Sequence, residues 1–174
     1  MIRKIRKKEL PQAIQLFREV VADMQNRGID QWDEVYPGLA DINDDLKKDC
    51  GFGYFEGNKL VGYVALNDEY DPEYETGNWQ YTEGRPLYFH RLAVRPAFQG
   101  QGVAGSLIRF AENHALEAGY AAIRLDAFPP NTAAVAMYEK RGYSRAGYVT
   151  FRKGRFVLLE KKVHENIAEY GKQS

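Results

Sequence analysis

The stretch Gln99-Gly100-Gln101-Gly102-Val103-Ala104-Gly105-Ser106 gathers small residues between an apolar run and an amphipathic one. Small residues let successive backbone N–H groups close around an anion, and a helix starting there adds partial positive charge. Such a turn serves several phosphate chemistries. The spacing of Gly100 and Gly105 formally fits a nucleoside-triphosphate loop, but the lysine that must reach the phosphates is absent. A dinucleotide site fits on paper, since Gly100-x-Gly102-x-x-Gly105 is literal and Asp126 lies 21 residues beyond Gly105. Against it, Arg95 to Gln99 separates the preceding strand from the first glycine. Only 48 residues follow Asp126, without the strand-helix repeats that a doubly wound sheet needs.

Other reactive residues are sparse. Cys50 is the single cysteine, so no internal disulfide forms and a reducing, cytoplasmic setting is the default. His90, His114 and His164 show no ligand spacing, so no metal is expected.

The elements that must position these residues follow from periodicity. A short strand at Ile2–Arg6 precedes apolar positions Leu10, Ala13, Ile14, Phe17, Val20, Val21 and Met24 at helical spacing, with Gly28 as the stop. A shorter acidic helix runs from Leu39 to about Lys48. Gly53–Glu56 and Lys59–Leu66 flank Gly57-Asn58 as a hairpin. Asn67–Gly84 has no period, six carboxylates and no basic residue, a length of loop that is either functional or disordered, and its Tyr70, Tyr74, Trp79 and Tyr81 argue against pure disorder. Strand 87–94, helix 102–118 and strand 121–126 make a right-handed parallel unit. A helix capped by Asn131 runs to about Arg141, a terminal hairpin spans about 143–163, and a polar tail spans 164–174. Without a repeat or linker, residues 1–174 read as one domain.

The third reading of the glycine turn fits this setting. Gln99-Gly100-Gln101-Gly102-Val103-Ala104 resembles the pyrophosphate loop of the GNAT superfamily of acyl-CoA-dependent N-acetyltransferases. Asn131-Thr-Ala-Ala-Val-Ala-Met-Tyr138-Glu-Lys-Arg-Gly142-Tyr143 is similar to a second segment of that family. The resemblance implies an α/β (α+β) fold whose central, mixed, mostly antiparallel sheet carries a splayed parallel pair at about 87–94 and 121–126, with about four helices and a cofactor-binding core at about 87–143.

It also implies an acyltransferase using acetyl-CoA as co-substrate. Leu92, Ala93 and Val94 would hold the pantetheine arm through main-chain groups. Gln99, Gly100, Gln101, Gly102, Val103, Ala104 and Gly105 would line the phosphates, and Asn131 would bond the arm as well as cap its helix. Tyr138, seven residues on and so on the same helix face, would be the general acid for the departing thiolate. A substrate amine would attack the thioester directly. Freeing its lone pair at pH 7 costs about 4 to 5 kcal/mol, so a base is needed. In many relatives that base is a glutamate, but Tyr88 stands at its position here. His90, on the same strand face, is the alternative base or water relay, with Glu69 and Glu83 as further candidates.

The 24 Lys and Arg balance 24 Asp and Glu. Asp30–Glu83 nevertheless carries 14 acidic residues against three basic ones, a net of −11, and the remainder carries +11. Neutrality argues against a nucleic-acid or membrane coat. The split is explained either by two binding surfaces of opposite charge or by ordinary solvated faces. In the first case the basic part holds the phosphates of coenzyme A, and the acidic loop with Trp32, Tyr36, Tyr88, Glu69 and Glu83 admits a cationic acceptor. That acceptor would be a small-molecule or peptide amine. Similar proteins are widely dimeric, so a homodimer is the expected assembly if one forms. A non-catalytic acyl-CoA sensor of the same fold is the alternative.

Overall fold

The computed structural model describes residues 1–164, so the predicted tail lies outside the described residues from position 165 on. In chain order the elements are β1 (Ile2–Lys4), α1 (Leu10–Asn26), α2 (Leu39–Lys47), β2 (Gly51–Glu56), β3 (Lys59–Asn67), β4 (Pro86–Val94), α3 (Val103–Glu117), β5 (Ala122–Ala127), α4 (Thr132–Lys140), β6 (Ser144–Phe151) and β7 (Gly154–Lys162). The strands form one sheet in the order β1-β2-β3-β4-β5-β7-β6. β4 and β5 run parallel, Leu87 opposite Ile123 and Tyr88 opposite Arg124. β1–β2, β2–β3, β5–β7 and β6–β7 are antiparallel. The parallel pair follows from α3, which carries the chain back between the two strands.

The chain divides into two compact units. The first, Met1–Leu66 with Phe89–Phe110, is built on the apolar stripe of α1: Ala13, Leu16, Phe17, Val20 and Met24 are buried at 3.6-residue spacing and pack with Ile42, Leu60 and Tyr63. α3 enters this unit against β3 at Gly62, where a Cβ would lie 2.8 Å from Val103 Cγ1 and 2.9 Å from Leu107 Cδ1.

The second unit, Asn67–Tyr88 with the described residues from Ala111 on, fully buries Leu87, Ile123, Leu125, Leu158 and Leu159. Here the structure adds to the sequence reading. Inside the stretch expected to be aperiodic, Pro72–Thr76 forms a 3-10 turn whose Tyr74 is 2% exposed. The loop is pinned rather than loose. Trp79 Nε1 donates to the Tyr74 carbonyl at 2.7 Å, Asn78 N to the Ala146 carbonyl at 2.7 Å, and Gln80 N to Glu160 Oε1 at 2.8 Å.

Candidate active site

In the first unit, β4 ends at Val94 and the chain is clamped at once by Arg95. Its backbone N–H donates to the Val61 carbonyl (2.8 Å), its Nε to the Leu60 carbonyl (2.6 Å), and its Nη1 to Glu19 Oε1 (2.6 Å). This buried guanidinium ties the start of the glycine turn to β3 and α1. Within the turn the glutamine side chains fold back on the main chain. Gln99 Nε2 donates to the Val94 carbonyl and Gln101 Nε2 to the Ala97 carbonyl, each at 3.1 Å. Gly100 (φ 74°) and Gly102 (φ 84°) take left-handed backbone that glycine adopts without strain, and nothing lies within 4 Å of where their Cβ atoms would be. Backbone bonding in α3 begins with Ser106 N donating to the Gly102 carbonyl at 3.0 Å. The N–H groups of Val103, Ala104 and Gly105 therefore have no acceptor within their own helix. An open, small-residue helix start with spare donors is suited to an anion such as a pyrophosphate.

Just before Leu92–Val94, Arg91 interrupts the regular strand with φ 57°. A long side chain in that region costs of order 1–2 kcal/mol, which its partners offset. Arg91 Nε donates to Asp45 Oδ2 at 3.0 Å, Nη2 donates to Asp45 Oδ1, and Nη1 donates to Tyr36 Oη at 3.1 Å. Asp45 is 1% exposed and also accepts from Tyr63 Oη at 2.6 Å. Burial first, then the Asp45 charge, push the Tyr63 phenol far above its ordinary value. This network went unseen in the sequence, where Asp45 reads as one more charge of an acidic helix. Cys50 is buried beside it, its Sγ 3.8 Å from Asp45 Oδ1.

In the second unit, Asn131 caps α4, its Oδ1 accepting from Ala134 N at 3.4 Å, as its position before the helix predicts. Tyr138 is buried two turns on, edge-on to Tyr143 at 5.6 Å. Burial, then the Asp126 carboxylate, hold its phenol well above the usual value. Tyr88 is also buried, and its Oη accepts from Arg124 Nη1 at 3.3 Å. Arg124 is held by Glu160 at 3.1 Å, donates to the Tyr81 carbonyl at 2.8 Å, and lies 4.4 Å from the Trp79 ring centre.

The predicted residues thus divide between the units. The first holds Trp32, Tyr36, His90, Leu92–Val94 and the glycine turn, and the second holds Glu69, Tyr88, Glu83, Asn131 and Tyr138. Trp32 is buried edge-on to Phe17 at 5.8 Å, Tyr36 is 37% exposed, and His90 is partly buried. Glu69 and Glu83 are exposed. Among the described residues, no group of three or more His, Cys, Asp or Glu is placed to hold a metal ion, and no helix is long and apolar enough to cross a membrane.

The family model described as "Acetyltransferase (GNAT) family" matches residues 14–143. The chain belongs to this GNAT family. Among GNAT relatives it is 28% identical over 139 residues to the uncharacterized N-acetyltransferase YesJ of Bacillus subtilis (strain 168), covering 75% of this chain and 76% of that one. It is also 28% identical over 116 residues to N-acetyltransferase 8 of Rattus norvegicus, of which it spans about half (49%; 65% of this chain). The crystal structure of a GNAT family acetyltransferase from Streptococcus agalactiae 2603 superposes with a TM-score of 0.79 at 28% identity, covering 95% of both chains. The PaiA N-acetyltransferase of Thermoplasma acidophilum, crystallised with coenzyme A, shares the GNAT fold with a TM-score of 0.71 at 19% identity, covering 93% of this chain and 98% of that one.

Proposed function

We propose that the protein transfers an acetyl group from acetyl-CoA to a primary amine by direct attack. The observation that carries this reading is the glycine turn, with its outward-facing, unencumbered Gly100 and Gly102 at the start of α3 in a GNAT chain. Gln99, Gly100, Gln101, Gly102, Val103, Ala104 and Gly105 hold the phosphates through main-chain N–H groups, Leu92, Ala93 and Val94 hold the pantetheine arm, and Asn131 and Tyr138 serve the same ligand. A relative in fold, the Thermoplasma acidophilum enzyme, was crystallised with coenzyme A, which supports that choice of ligand.

Tyr138 gives a hydrogen bond to the sulfur as the carbon–sulfur bond breaks. Because burial disfavours its phenolate, Tyr138 is protonated throughout the working pH range, and any phenolate formed recovers its proton at once. Tyr36, Glu69 and Glu83 are accessible enough to touch an acceptor, and Trp32 and Tyr88 act by shaping its surroundings. His90, on β4, is the alternative base or water relay. The acceptor is a small cationic amine or a peptide amine, the enzyme works in the cytoplasm without a metal, and a homodimer is its assembly if one forms.

Tyr88 in place of the family glutamate favours a second reading, an acyl-CoA sensor without turnover. Thiol release from acetyl-CoA in the presence of lysine, spermidine, kanamycin or a peptide with a free N-terminal alanine distinguishes the two. Acceleration by at least one amine is expected. Binding without turnover supports the sensor, and no acetyl-CoA binding overturns both.

A further inference from the structure

Asp126 stands near the end of β5, and its Oδ2 accepts a short hydrogen bond, 2.5 Å, from the Tyr74 hydroxyl. Tyr74 is the hub of an aromatic cluster, with ring centres 5.5 Å from Tyr88, 5.8 Å from Trp79 and 6.5 Å from Phe151. Tyr70 stacks on Tyr88 at 5.1 Å and is 45% exposed, so the cluster reaches solvent. The titratable groups facing Asp126 are Tyr74 and Asp71 from the loop and Tyr138 from α4, and its register partner on β7 is Leu158. Burial pushes the Asp126 carboxyl up, the Tyr74 hydrogen bond opposes this, and Asp71 adds to it, leaving it at about 6. Such a carboxylate is ionised at neutral pH yet more basic than an exposed one, as a proton acceptor requires. Its charge is felt by Tyr138, the proposed proton donor. Two groups whose environments set them to opposite tasks thus share one neighbourhood.

We infer that Asp126 is the catalytic base that takes the proton from the ammonium form of the acceptor, beside a wall formed by the rings of Tyr70, Tyr74 and Tyr88. The inference rests on the acetyltransferase reading and supplies the base that the tyrosine at position 88 leaves missing. The ammonium group gives one proton to Asp126 Oδ1, the oxygen that Tyr74 does not hold. The freed lone pair forms the carbon–nitrogen bond, the carbon–sulfur bond breaks, and the second nitrogen proton reaches the sulfur by way of Tyr138 Oη. Asp126 then releases its proton to water, so one proton is liberated per acetyl group transferred. An aromatic wall beside a carboxylate selects a compact organic cation, whose charge interacts with both.

The alternative is that Asp126 only anchors the loop through Tyr74. The test measures kcat/KM between pH 5 and 9, using whichever of lysine, spermidine, kanamycin or the alanyl peptide turns over fastest, together with calorimetric acetyl-CoA binding and thermal melting. The wild type should lose activity about tenfold per unit below about pH 6. Asp126→Asn can still accept the Tyr74 hydrogen bond. It should be at least roughly 100-fold slower at pH 7.5, lack the acid limb, and bind acetyl-CoA within twofold of wild type. Tyr74→Phe should keep the limb but move it to higher pH, because the bond that lowers the Asp126 pKa is gone. If Asp126→Asn loses its cooperative melt, Tyr74→Phe decides alone. An Asp126→Asn variant within threefold of wild type, or an acid limb unmoved in Tyr74→Phe, overturns the inference and leaves acetyl transfer standing. Absence of wild-type turnover with every amine overturns acetyl transfer itself, and the base with it.

Discussion

Arg91 and Asp45 form a two-pronged, nearly solvent-free ion pair at the position where β4 leaves regular strand geometry, with side-chain exposures of 12% and 2%. Removing one member strands the other charge in the core, which is costlier than losing the attraction itself. Asp45→Ala should therefore lower stability by about 3–5 kcal/mol, read as a fall in melting temperature of roughly 10 °C or more. Where the variant is still folded, acetyl-CoA affinity should fall as well, because Leu92–Val94 follow directly on the strained residue. A melt within about 1 kcal/mol of wild type would show that the pair is not what holds this strand.

Gly102 permits a matched comparison with Gly28, since both have positive φ (84° and 71°) and open space where a Cβ would be. Alanine at either should cost about 1–2 kcal/mol of stability from left-handed backbone alone. Only Gly102→Ala should also weaken acetyl-CoA binding, by about tenfold, because a methyl there obstructs approach to the main-chain donors. Calorimetry on the two variants checks this. Equal losses of affinity would move the phosphate site away from the turn.

Tyr138→Phe should lower kcat about 100-fold with acetyl-CoA binding unchanged, the size of effect expected of a positioned proton donor. The raised Tyr138 pKa also makes a sign prediction. The acid form persists, so wild-type kcat should show no falling limb assignable to this phenol below pH 10. A limb near pH 9 that vanishes in Tyr138→Phe contradicts that environment.

Asp126 should make stability and activity trade against each other. Its carboxyl is raised from 3.8 to about 6, so the folded chain binds this proton more tightly than the unfolded chain does. The stabilisation is complete below about pH 4 and is lost as pH rises through 6, amounting to no more than about 3 kcal/mol. Asp126→Asn should remove that loss, so its melting temperature relative to wild type should rise between pH 4 and pH 8. A difference that does not change with pH would mean that Asp126 titrates as an ordinary surface carboxylate.

Much of this was legible in the sequence because it is local. The stripe from Ala13 to Met24, the turn at Gly57-Asn58, the Asn131 cap and the crossover through α3 are each written within a few residues, where periodicity and turn chemistry act. The glycine turn was legible for the same reason. Pairings across long separations were not. Asp45 with Arg91, Tyr74 with Asp126 and Arg124 with Glu160 lie 46, 52 and 36 residues apart, and a charge reads alike whether solvated or buried. The sequence did supply Asp126, at a strand end, but only a folded loop brings Tyr74 to it. The length and lack of period of 67–84 were legible too, while its 3-10 turn depends on burying Tyr74, a tertiary event.

The central claim is tested most directly by following a labelled acetyl group from acetyl-CoA in the presence of the four amines. The account predicts label on at least one amine in equal amount to the thiol released, with none retained on the protein after denaturation. Label on no amine, or label bound covalently to the chain during turnover, would contradict direct acetyl transfer.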